Sequence, residues 1–355
     1  MDRLAEVETD VLVVGAGPIG IEVACALRER GVRFVHVEAG AIGETMRWWA
    51  PGTKFFSWAG RSGVAGVPLA VEGEGKATGE GCVRYLGQVV GAKGLEVRTH
   101  ERVVGVDRGG GGGFGVRTRT RSGRERVVRC GRVVLAVGNM DRANRIGVEG
   151  EDLAHVSHVL GDPHGYFGRD VLIVGGRNSA VEAAIRLYRV GARVSVSYRR
   201  ASFSKKVKYW LRPELLWLIE TGRIGFYPES VVDRIGAGVV ELVRSPMSEG
   251  AGDGWRAALG VDDVLLLTGY VQDPGLFRMF GVGLAGELCR PVHDEDTMET
   301  DVGGVYVAGT AAAGTQLSGV THFIETSHVH AERIAAALSG GRLEVETPRF
   351  ALEES

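Results

Sequence analysis

Three glycines near the start of the chain have the spacing of a phosphate-binding turn. Gly15, Gly17 and Gly20 follow the apolar run Val11–Val14 and precede the amphipathic segment Ile21–Glu29. The apolar run has the length of a buried strand, and the segment after the turn has the period of a helix. In such a unit the first glycine allows a sharp turn, the second leaves room for a pyrophosphate, and the third lets the helix pack against the strand. The N–H groups and the dipole of the helix then face the phosphates.

An acidic residue at the end of the next strand completes this pattern. The strand Arg33–Val37 is followed by Glu38, which lies 23 residues after Gly15. A carboxylate at this distance accepts hydrogen bonds from a ribose hydroxyl. The strand, turn, helix and acid together predict a dinucleotide site. The alternative is a glycine turn in an ordinary α/β protein.

The same order of elements returns in the middle of the chain. Residues Asp170–Arg200 again have the pattern of a strand, a glycine turn, a helix and a strand, which makes this an internal repeat. Arg177 occupies the third position of the turn and Ala180 the last. The arginine side chain either contacts phosphate or lies over the crevice, and the sequence leaves both alternatives open.

The second repeat ends in basic residues where the first ends in Glu38. Tyr198 is followed by Arg199 and Arg200, and the lysines Lys205, Lys206 and Lys208 come soon after. An acid at this position repels a 2′-phosphate, whereas arginine attracts it. We therefore predict NADPH as the second cofactor, bound through Arg199 or Arg200. Each lysine is interpreted as part of a solvated helix start.

Bulk properties exclude several classes of partner. The chain of 355 residues suits two domains, and its net charge of −2 gives no general attraction to nucleic acid or to anionic membranes. No apolar run approaches the roughly 18 residues of a membrane-spanning helix, and the N-terminus lacks an export signal. The four cysteines are far apart and form no C-x-x-C pair, which is typical of a reducing compartment. We expect a cytoplasmic protein.

Histidines and aromatic residues offer weaker signals. The pairs His155/His158 and His328/His330 have no carboxylate or cysteine at a familiar metal spacing, so no metal site is predicted. His322 near the last helix is either packed or a donor of a proton or hydrogen bond. The segment after Glu38 is read as a loop whose aromatic side chains either pack together or flank a flat ring; these are Trp48, Trp49, Phe55, Phe56 and Trp58.

The remaining segments predict a helix, short strands and a returning C-terminal unit. The predicted helix is Gly81–Gly91, and the predicted strands before the second repeat are Leu95–Thr99, Arg102–Asp107, Phe114–Thr120, Arg126–Cys130 and Val133–Gly138. Val264–Gly269 ends the second half much as Val133–Gly138 ends the first. Gly304–Gly309 is read as a strand entering a glycine turn, followed by a helix over Val320–Leu338.

This order of motifs resembles the flavoproteins with two dinucleotide-binding domains, a family that includes thioredoxin reductase. The likeness is closest to the subgroup that contains the bacillithiol-disulfide reductases. The segments that carry it are His155–Val159, Asp162–Gly168, Gly175–Ala184, Lys208–Glu214, Leu266–Pro274 and Asp296–Thr310. The resemblance implies an α/β fold with two Rossmann-like domains, the second inserted in the first. The implied FAD domain comprises residues 1–147 and 287–355, and the implied NADPH domain residues 148–286.

The resemblance also implies which residues bind the cofactors. Those expected at FAD are Gly15, Gly17, Pro18, Gly20, Glu38, Val103, Gly138, Gly309, Thr310 and Phe323. Those expected at NADPH are Gly175, Arg177, Asn178, Ser179, Ala180, Arg199 and Arg200. Many relatives carry aspartate where this chain has Thr310, so a hydroxyl replaces the usual carboxylate contact to the ribityl chain. No catalytic residue is assigned.

Two departures from the family concern thiols. Thioredoxin reductases keep a C-x-x-C before the second glycine motif, but this chain has no cysteine between Cys130 and Cys289. Several bacillithiol-linked members carry a cysteine in the first glycine turn, where this chain has Ile19. The implied activity is therefore that of a homo-oligomeric FAD oxidoreductase without an internal dithiol. It takes hydride from NADPH and passes electrons to a disulfide, a quinone or a small redox protein.

Two other functions share the glycine motifs. Flavin monooxygenases carry the pattern F-x-G-x-x-x-H before the second motif. The nearest match here, Val148-x-Gly150, has Ala154 where the histidine belongs. The second alternative is a redox sensor that binds NADPH or FAD without turnover, although the sequence shows no DNA-binding helix and no added interaction domain.

Overall fold

The computed structural model describes residues 5–55, 57–71, 75–109, 112–249, 251–252, 254–317 and 321–340. Its contacts divide these residues into two compact units. The first unit comprises residues 5–48, 52–142 and 270–340, and the second comprises 49–51 and 143–269, within the described ranges. The second unit is thus inserted into the first, which confirms the predicted arrangement of an α/β protein.

The strands of the described residues form five sheets. They are β1 (Ala5–Val14), β2 (Phe34–Val37), β3 (Val97–Arg98), β4 (Glu101–Arg108), β5 (Phe114–Thr120), β6 (Glu125–Leu135), β7 (Arg142–Ala143), β8 (Val156–Ser157), β9 (Asp170–Val174), β10 (Arg193–Tyr198), β11 (Gly225–Pro228), β12 (Ser230–Gly236), β13 (Val239–Arg244), β14 (Arg256–Gly260), β15 (Asp263–Leu266), β16 (Tyr270–Val271), β17 (Leu284–Ala285), β18 (Arg290–Pro291) and β19 (Val305–Val307).

The helices include the four that the sequence predicted. In chain order, the helices are α1 (Pro18–Glu29), α2 (Glu44–Arg47), α3 (Gly79–Ala92), α4 (Asn178–Arg189), α5 (Arg212–Glu220), α6 (Gly275–Phe280) and α7 (Ile324–Ser339). The predicted ones are α1, α3, α4 and α7, and α2 lies in the segment that was read as a loop. Single 3₁₀ turns form at Ala59–Arg61, Pro163–Tyr166 and Gly309–Ala313. The last of these is called the Gly309 turn below. The predicted final helix began at Val320, which lies outside the described residues.

The sheet of the first unit has the strand order β3-β2-β1-β6-β5-β4, and β19 pairs with β6. β1 is parallel to β2 and β6, whereas β4, β5 and β6 form an antiparallel meander. The sequence predicted two strands, Arg126–Cys130 and Val133–Gly138, where the structure has the single strand β6. They merge because β1 pairs with β6 without a break from Ala5 to Val14, so the exposed residues between the two apolar runs stay extended.

The carboxyl boundary of the second unit differs from the predicted one. The predicted second domain continued to residue 286, but residues 270–286 pack with the first unit. The reason is α6, whose Phe277 and Phe280 are buried in the first unit's core, with the Phe280 ring 5.9 Å from that of Phe114. The second unit also begins at Ala143 instead of residue 148. Residues 341–355 of the predicted first domain lie outside the described residues.

Apart from residues 49–51, the described part of the second unit is a contiguous stretch of chain built around a parallel sheet. Its strand order is β11-β10-β9-β15-β8, and an antiparallel sheet β12-β13-β14 packs against it through a second apolar cluster. Helix α4 covers β9 and β10 with its apolar side, on which Val181, Ala184 and Leu187 are buried. Apolar strands covered by helices are what the repeat of strand, turn and helix predicts. Within the described ranges no helix is long and apolar enough to cross a membrane.

A partly buried ion pair joins the first and last helices of the first unit. His328 Nδ1 on α7 lies 2.5 Å from Glu22 Oε2 on α1, and the two side chains are 28% and 17% exposed. The hydrogen bond to Glu22 raises the pKa of His328 above its ordinary value of 6.5, and the backbone of Arg61 and the nearby Glu325 act in the same direction. The folded protein therefore holds this proton more tightly than the unfolded chain does.

We expect this pair to make stability depend on pH. A raised pKa in the folded state contributes stability that is complete below about pH 6.5 and is lost as the pH rises through the raised pKa. In thermal melts, His328→Gln should lie below the parent at pH 6, by roughly 2 °C for a contribution on the order of 1 kcal/mol, and approach it at pH 9. Glu22→Gln should lose the same pH dependence. If the difference in melting temperature between the parent and the variant is constant from pH 6 to pH 9, this assignment is wrong.

Candidate functional site

The first glycine turn has three glycines with three different physical requirements. Gly15 has a left-handed φ of +105°, and a Cβ there would overlap the carbonyl oxygen of Ala136. A Cβ on Gly20 would overlap the carbonyl oxygen of Gly15, so the close approach of α1 to β1 excludes any side chain. Gly17 differs because its φ is −77° and nothing lies within 4 Å of where its Cβ would be. The space beside Gly17 is therefore open.

Helix α1 begins at this open position without a capping side chain. Gly17 is the N-cap, Pro18 follows it, and no side-chain hydrogen bond caps the helix. The N–H groups of the first turn of a helix have no partners within the helix, so they remain available to an external acceptor. An open space next to uncapped N–H groups fits the pyrophosphate of a dinucleotide.

Glu38 lies beside the same turn. Its Oε2 accepts a hydrogen bond of 2.7 Å from the Ala16 N–H, and its Oε1 accepts one of 2.7 Å from the Gly40 N–H. Each carboxylate oxygen keeps a further lone pair, so the oriented carboxylate can still accept from a ribose hydroxyl. The Glu101 N–H donates to the Glu38 carbonyl oxygen at 2.8 Å. This bond places Val103, two residues further along β4, near the same end of the sheet.

A buried histidine that the sequence analysis missed forms a hydrogen bond with the first glycine turn. His36 on β2 is 1% exposed, and its Nε2 lies 2.8 Å from the Gly15 carbonyl oxygen. Burial lowers the pKa of His36 to about 4, so the ring is neutral and must carry its proton on Nε2 to donate to that oxygen. The available signal was a polar residue within the apolar strand FVHV.

The C-terminal segment returns to this turn. Gly309 has a φ of +74°, and its Cβ would lie 3.2 Å from the Ile19 side chain at the start of α1. Thr310 Oγ1 lies 3.9 Å from where the Cβ of Gly138 would be. The structure thus brings together Gly138, Gly309, Thr310 and the first glycine turn. The hydrogen bonds of Phe323, the N-cap of α7, stay within the first turn of that helix in the described structure.

Buried amides hold the Gly309 turn. Gln272 Nε2 donates to the carbonyl oxygens of Ala311, at 2.9 Å, and Gly138, at 3.3 Å. Asn139 Nδ2 donates to the carbonyl oxygen of Gly314 at 2.8 Å. Because both partners of Gln272 are carbonyls, its amide orientation is unambiguous. These contacts, two of which connect residues 134 and 175 positions apart, were not visible in the sequence.

The second glycine turn resembles the first in its backbone but not in its side chains. Gly175 has a φ of +145°, and a Cβ there would overlap the carbonyl oxygen of Leu267. Arg177 has φ −107° and ψ −174°, close to the values of Gly17, −77° and −177°. Arginine therefore fits this extended position without strain. The second turn thus carries an exposed arginine side chain at the position where the first turn has a glycine.

The start of α4 and the end of β10 contain the remaining predicted residues. No side chain caps α4, which begins at Asn178 and Ser179, and the buried Ala180 lies close to Gly175. Asn178 Oδ1 accepts a hydrogen bond of 2.9 Å from the Lys208 N–H. This bond ties the basic segment to the glycine turn. The residues that follow β10, Arg199 and Arg200, are both exposed.

No thiol lies in the first glycine turn. Burial raises the pKa of Cys25 and Cys82 to about 11 and that of Cys130 to about 12. Cys289 is the remaining cysteine and is partly exposed, and all four are free. Ile19, at the position expected of a reactive cysteine in some relatives, is 6% exposed. Thiols with raised pKa values are poor nucleophiles at neutral pH.

Other features lie away from these turns or lack a ligand set. A cleft of about 510 Å³ lies along the starts of β9 and β10, at the end of the sheet opposite the Gly175 turn. In the part of the chain that the structure describes, no three His, Cys, Asp or Glu side chains are placed to hold a metal ion. In the aromatic loop, the Trp48 ring packs edge-on at 5.0 Å from that of Tyr270, and Trp58 is 44% exposed. Phe56 lies outside the described residues.

Comparisons with known proteins agree with this geometry. The family model described as pyridine nucleotide-disulphide oxidoreductase matches residues 12–309. The bacilliredoxin reductase of Bacillus subtilis is 30% identical over 94% of this chain and 98% of its own length. A ferredoxin–NADP reductase of Ignicoccus hospitalis is 27% identical over 88% and 97%. The solved bacillithiol disulfide reductase of Bacillus cereus is 30% identical, covers 94% and 99% of the two chains, and has a TM-score of 0.87. The resemblance stated from the sequence is thereby confirmed.

We expect Gly17→Val to weaken dinucleotide binding without unfolding the chain. The variant side chain would fill the open space beside the helix start, while nothing in the protein lies within 4 Å to clash with its Cβ. Titration of the apoprotein with FAD, followed by flavin fluorescence, should show affinity weakened by at least roughly tenfold. Gly87→Val on α3, where the Cβ also meets nothing within 4 Å, is the matched control and should bind normally. Equal FAD affinity in Gly17→Val and the parent would disprove this site.

Proposed function

Because the chain belongs to the pyridine nucleotide-disulphide oxidoreductase family, we propose that it takes hydride from NADPH onto FAD and delivers the electrons directly to an external acceptor. The observation that carries this proposal is that two glycine turns each lead into a helix without a side-chain cap, and that the next strand of each repeat ends in residues of opposite charge. The first is followed by Glu38, which suits a free ribose, and the second by Arg199 and Arg200, which suit a 2′-phosphate.

The first unit supplies the groups that hold FAD. Its residues fit the cofactor because the space at Gly17 is open and the carboxylate of Glu38 is oriented beside it. The N–H groups at the start of α1 bind the pyrophosphate. Val103, Gly138 and the Gly309 turn line the remaining length of the cofactor, and Thr310 offers a hydroxyl to the ribityl chain. The bound flavin supplies the chemistry of accepting hydride and releasing electrons.

The second unit supplies the groups that hold NADPH. The N–H groups at the start of α4, with Asn178 and Ser179, bind the pyrophosphate. Arg177 lies where a glycine usually leaves room for phosphate and adds a positive charge to that contact. Arg199 and Arg200 bind the 2′-phosphate, because guanidinium and phosphate form charge-assisted hydrogen bonds.

We propose a disulfide or a small redox protein as the acceptor, with a quinone as the third class. Among the relatives, the solved bacillithiol disulfide reductase is named for a disulfide, and the bacilliredoxin and ferredoxin reductases are named for small redox proteins. Ile19 and the three buried cysteines support direct transfer from the flavin to this acceptor. A flavin monooxygenase is the less favoured alternative, because Ala154 replaces its motif histidine. We further propose a cytoplasmic homodimer, and the free state of all four cysteines supports a reducing compartment.

Anaerobic transfer assays distinguish these functions. The protein is reduced with NADPH and mixed in a stopped-flow instrument with a disulfide, a quinone or a ferredoxin. Fast reoxidation by one of them identifies the acceptor class. A long-lived oxygenated flavin on mixing with air would instead support the monooxygenase, and binding without turnover on any acceptor would support a sensor.

We expect NADPH to reduce the flavin in preference to NADH. A charge-assisted hydrogen bond is worth about 1.5–3 kcal/mol, so one arginine accounts for roughly a tenfold to hundredfold preference. In the double variant Arg199→Ala/Arg200→Ala, stopped-flow reduction of the flavin should show an apparent affinity for NADPH that is weakened by this factor. The apparent affinity for NADH should be unchanged. The matched control is Lys205→Ala/Lys206→Ala, which removes two exposed charges from the same segment. Equal affinities of the parent for the two nicotinamides would rule out the assignment.

We expect flavin reduction and electron release to need no cysteine. Changing Cys25, Cys82 and Cys130 to alanine and Cys289 to serine should leave NADPH turnover with artificial acceptors within roughly twofold of the parent, once FAD content is matched. The contrary outcome is specific. If flavin reduction is intact but oxidation by a disulfide is lost on removing one cysteine, that thiol lies on the electron path.

A further inference from the structure

A second buried histidine, on α7, bonds to the Gly309 turn. His330 on α7 is 4% exposed, and its Nδ1 accepts a hydrogen bond of 3.1 Å from the Gly309 N–H. Since a backbone N–H can only donate, Nδ1 must present a lone pair. The proton of the neutral ring is therefore on Nε2.

The surroundings keep this ring neutral. Burial lowers the pKa of His330 to about 3, and positive charge at His322, Arg333 and His293 acts in the same direction. A protonated ring would direct a hydrogen on Nδ1 at the Gly309 N–H and break the bond. Neutrality therefore preserves the contact across the whole physiological pH range.

Gly309 is confined between His330 and the start of α1. Its φ of +74° is left-handed, and its Cβ would lie 3.2 Å from Ile19. Gln272 and Asn139 hold carbonyl oxygens further along the segment, at Ala311 and Gly314. Among the described residues, His330 alone accepts from the N–H that opens the turn. The orientation of this first peptide group thus depends on one imidazole lone pair.

We propose that His330 is a positioning residue for FAD: it fixes the Gly309 turn in the conformation that the cofactor needs, and it does so through the lone pair on Nδ1. This inference rests on the proposed function in that it takes the first unit to bind FAD. In the apoprotein, a turn that loses its acceptor can shift and give its N–H to water. Bound FAD would prevent that shift. Losing the acceptor therefore weakens the affinity for FAD, because the Gly309 N–H has no partner in the FAD-bound form.

Substitutions at His330 separate the lone pair from the bulk of the ring. His330→Phe and His330→Leu remove the acceptor, whereas His330→Asn keeps an acceptor oxygen close to where Nδ1 stands. FAD titration of each apoprotein should give dissociation constants raised roughly 5-fold to 100-fold for Phe and Leu. Asn should lie within about threefold of the parent. The matched control is His322→Phe. The ring centre of His322 lies 5.8 Å from that of His330, but the hydrogen bond from the Gly309 N–H goes to His330.

A second measurement tells positioning from support of the fold. The melting temperatures of the apoproteins should change less than those of the FAD-bound forms. If Phe and Leu bind FAD as the parent does, or if Asn loses as much affinity as they do, the lone pair has no such role. The proposal is also wrong if only apoprotein stability falls. Failure of the parent itself to bind FAD would refute the proposed function instead, and Gly17→Val reports on that separately.

Discussion

Two helix starts without capping side chains are the constraint around which both units are built. Helices are commonly capped by Ser, Thr, Asp or Asn, but the N-cap of α1 is Gly17 and that of α4 is Arg177, and neither helix has a side-chain hydrogen bond at its cap. Backbone N–H groups without hydrogen-bond partners are unfavourable, and hydrogen bonds to a bound anionic ligand offset that cost. The left-handed glycines, the close packing of helix on strand, and the acid or arginines at the next strand end all keep these donors in place for that ligand.

Much of this arrangement could be predicted because its causes are local. The turn at Gly15, the position of Glu38 beside it and the basic residues after the second repeat depend on spacings within about 25 residues of sequence. The missed contacts depend on how strands and turns meet in the fold. His36 lies only 21 positions from Gly15, but its hydrogen bond forms between neighbouring strands, and Gln272 meets Gly138 and Ala311 from 134 and 39 positions away. The domain boundary was misplaced for the same reason, since only the packed core shows that Phe277 belongs to the first unit.

The first glycine turn carries an aliphatic side chain where it approaches the C-terminal segment. Ile19, at the start of α1, lies against Gly309. The Gly309 N–H donates a hydrogen bond to His330 on α7. Side chains from α1 and α7 thus contact the same glycine, so the conformation of the Gly309 turn depends on both helices.

The discontinuity of the first unit has a consequence for how the chain is made. Strand β19 pairs with β6, joining Val305 to Val133 across the whole inserted unit, and α7 packs against α1. The second unit, in contrast, is one continuous segment of residues 143–269 apart from its small contribution at 49–51. During synthesis its sheet can close while the first unit still lacks β19 and α7. Translation therefore completes the second unit before the first, because β19, the Gly309 turn and α7 all follow residue 269 in the chain.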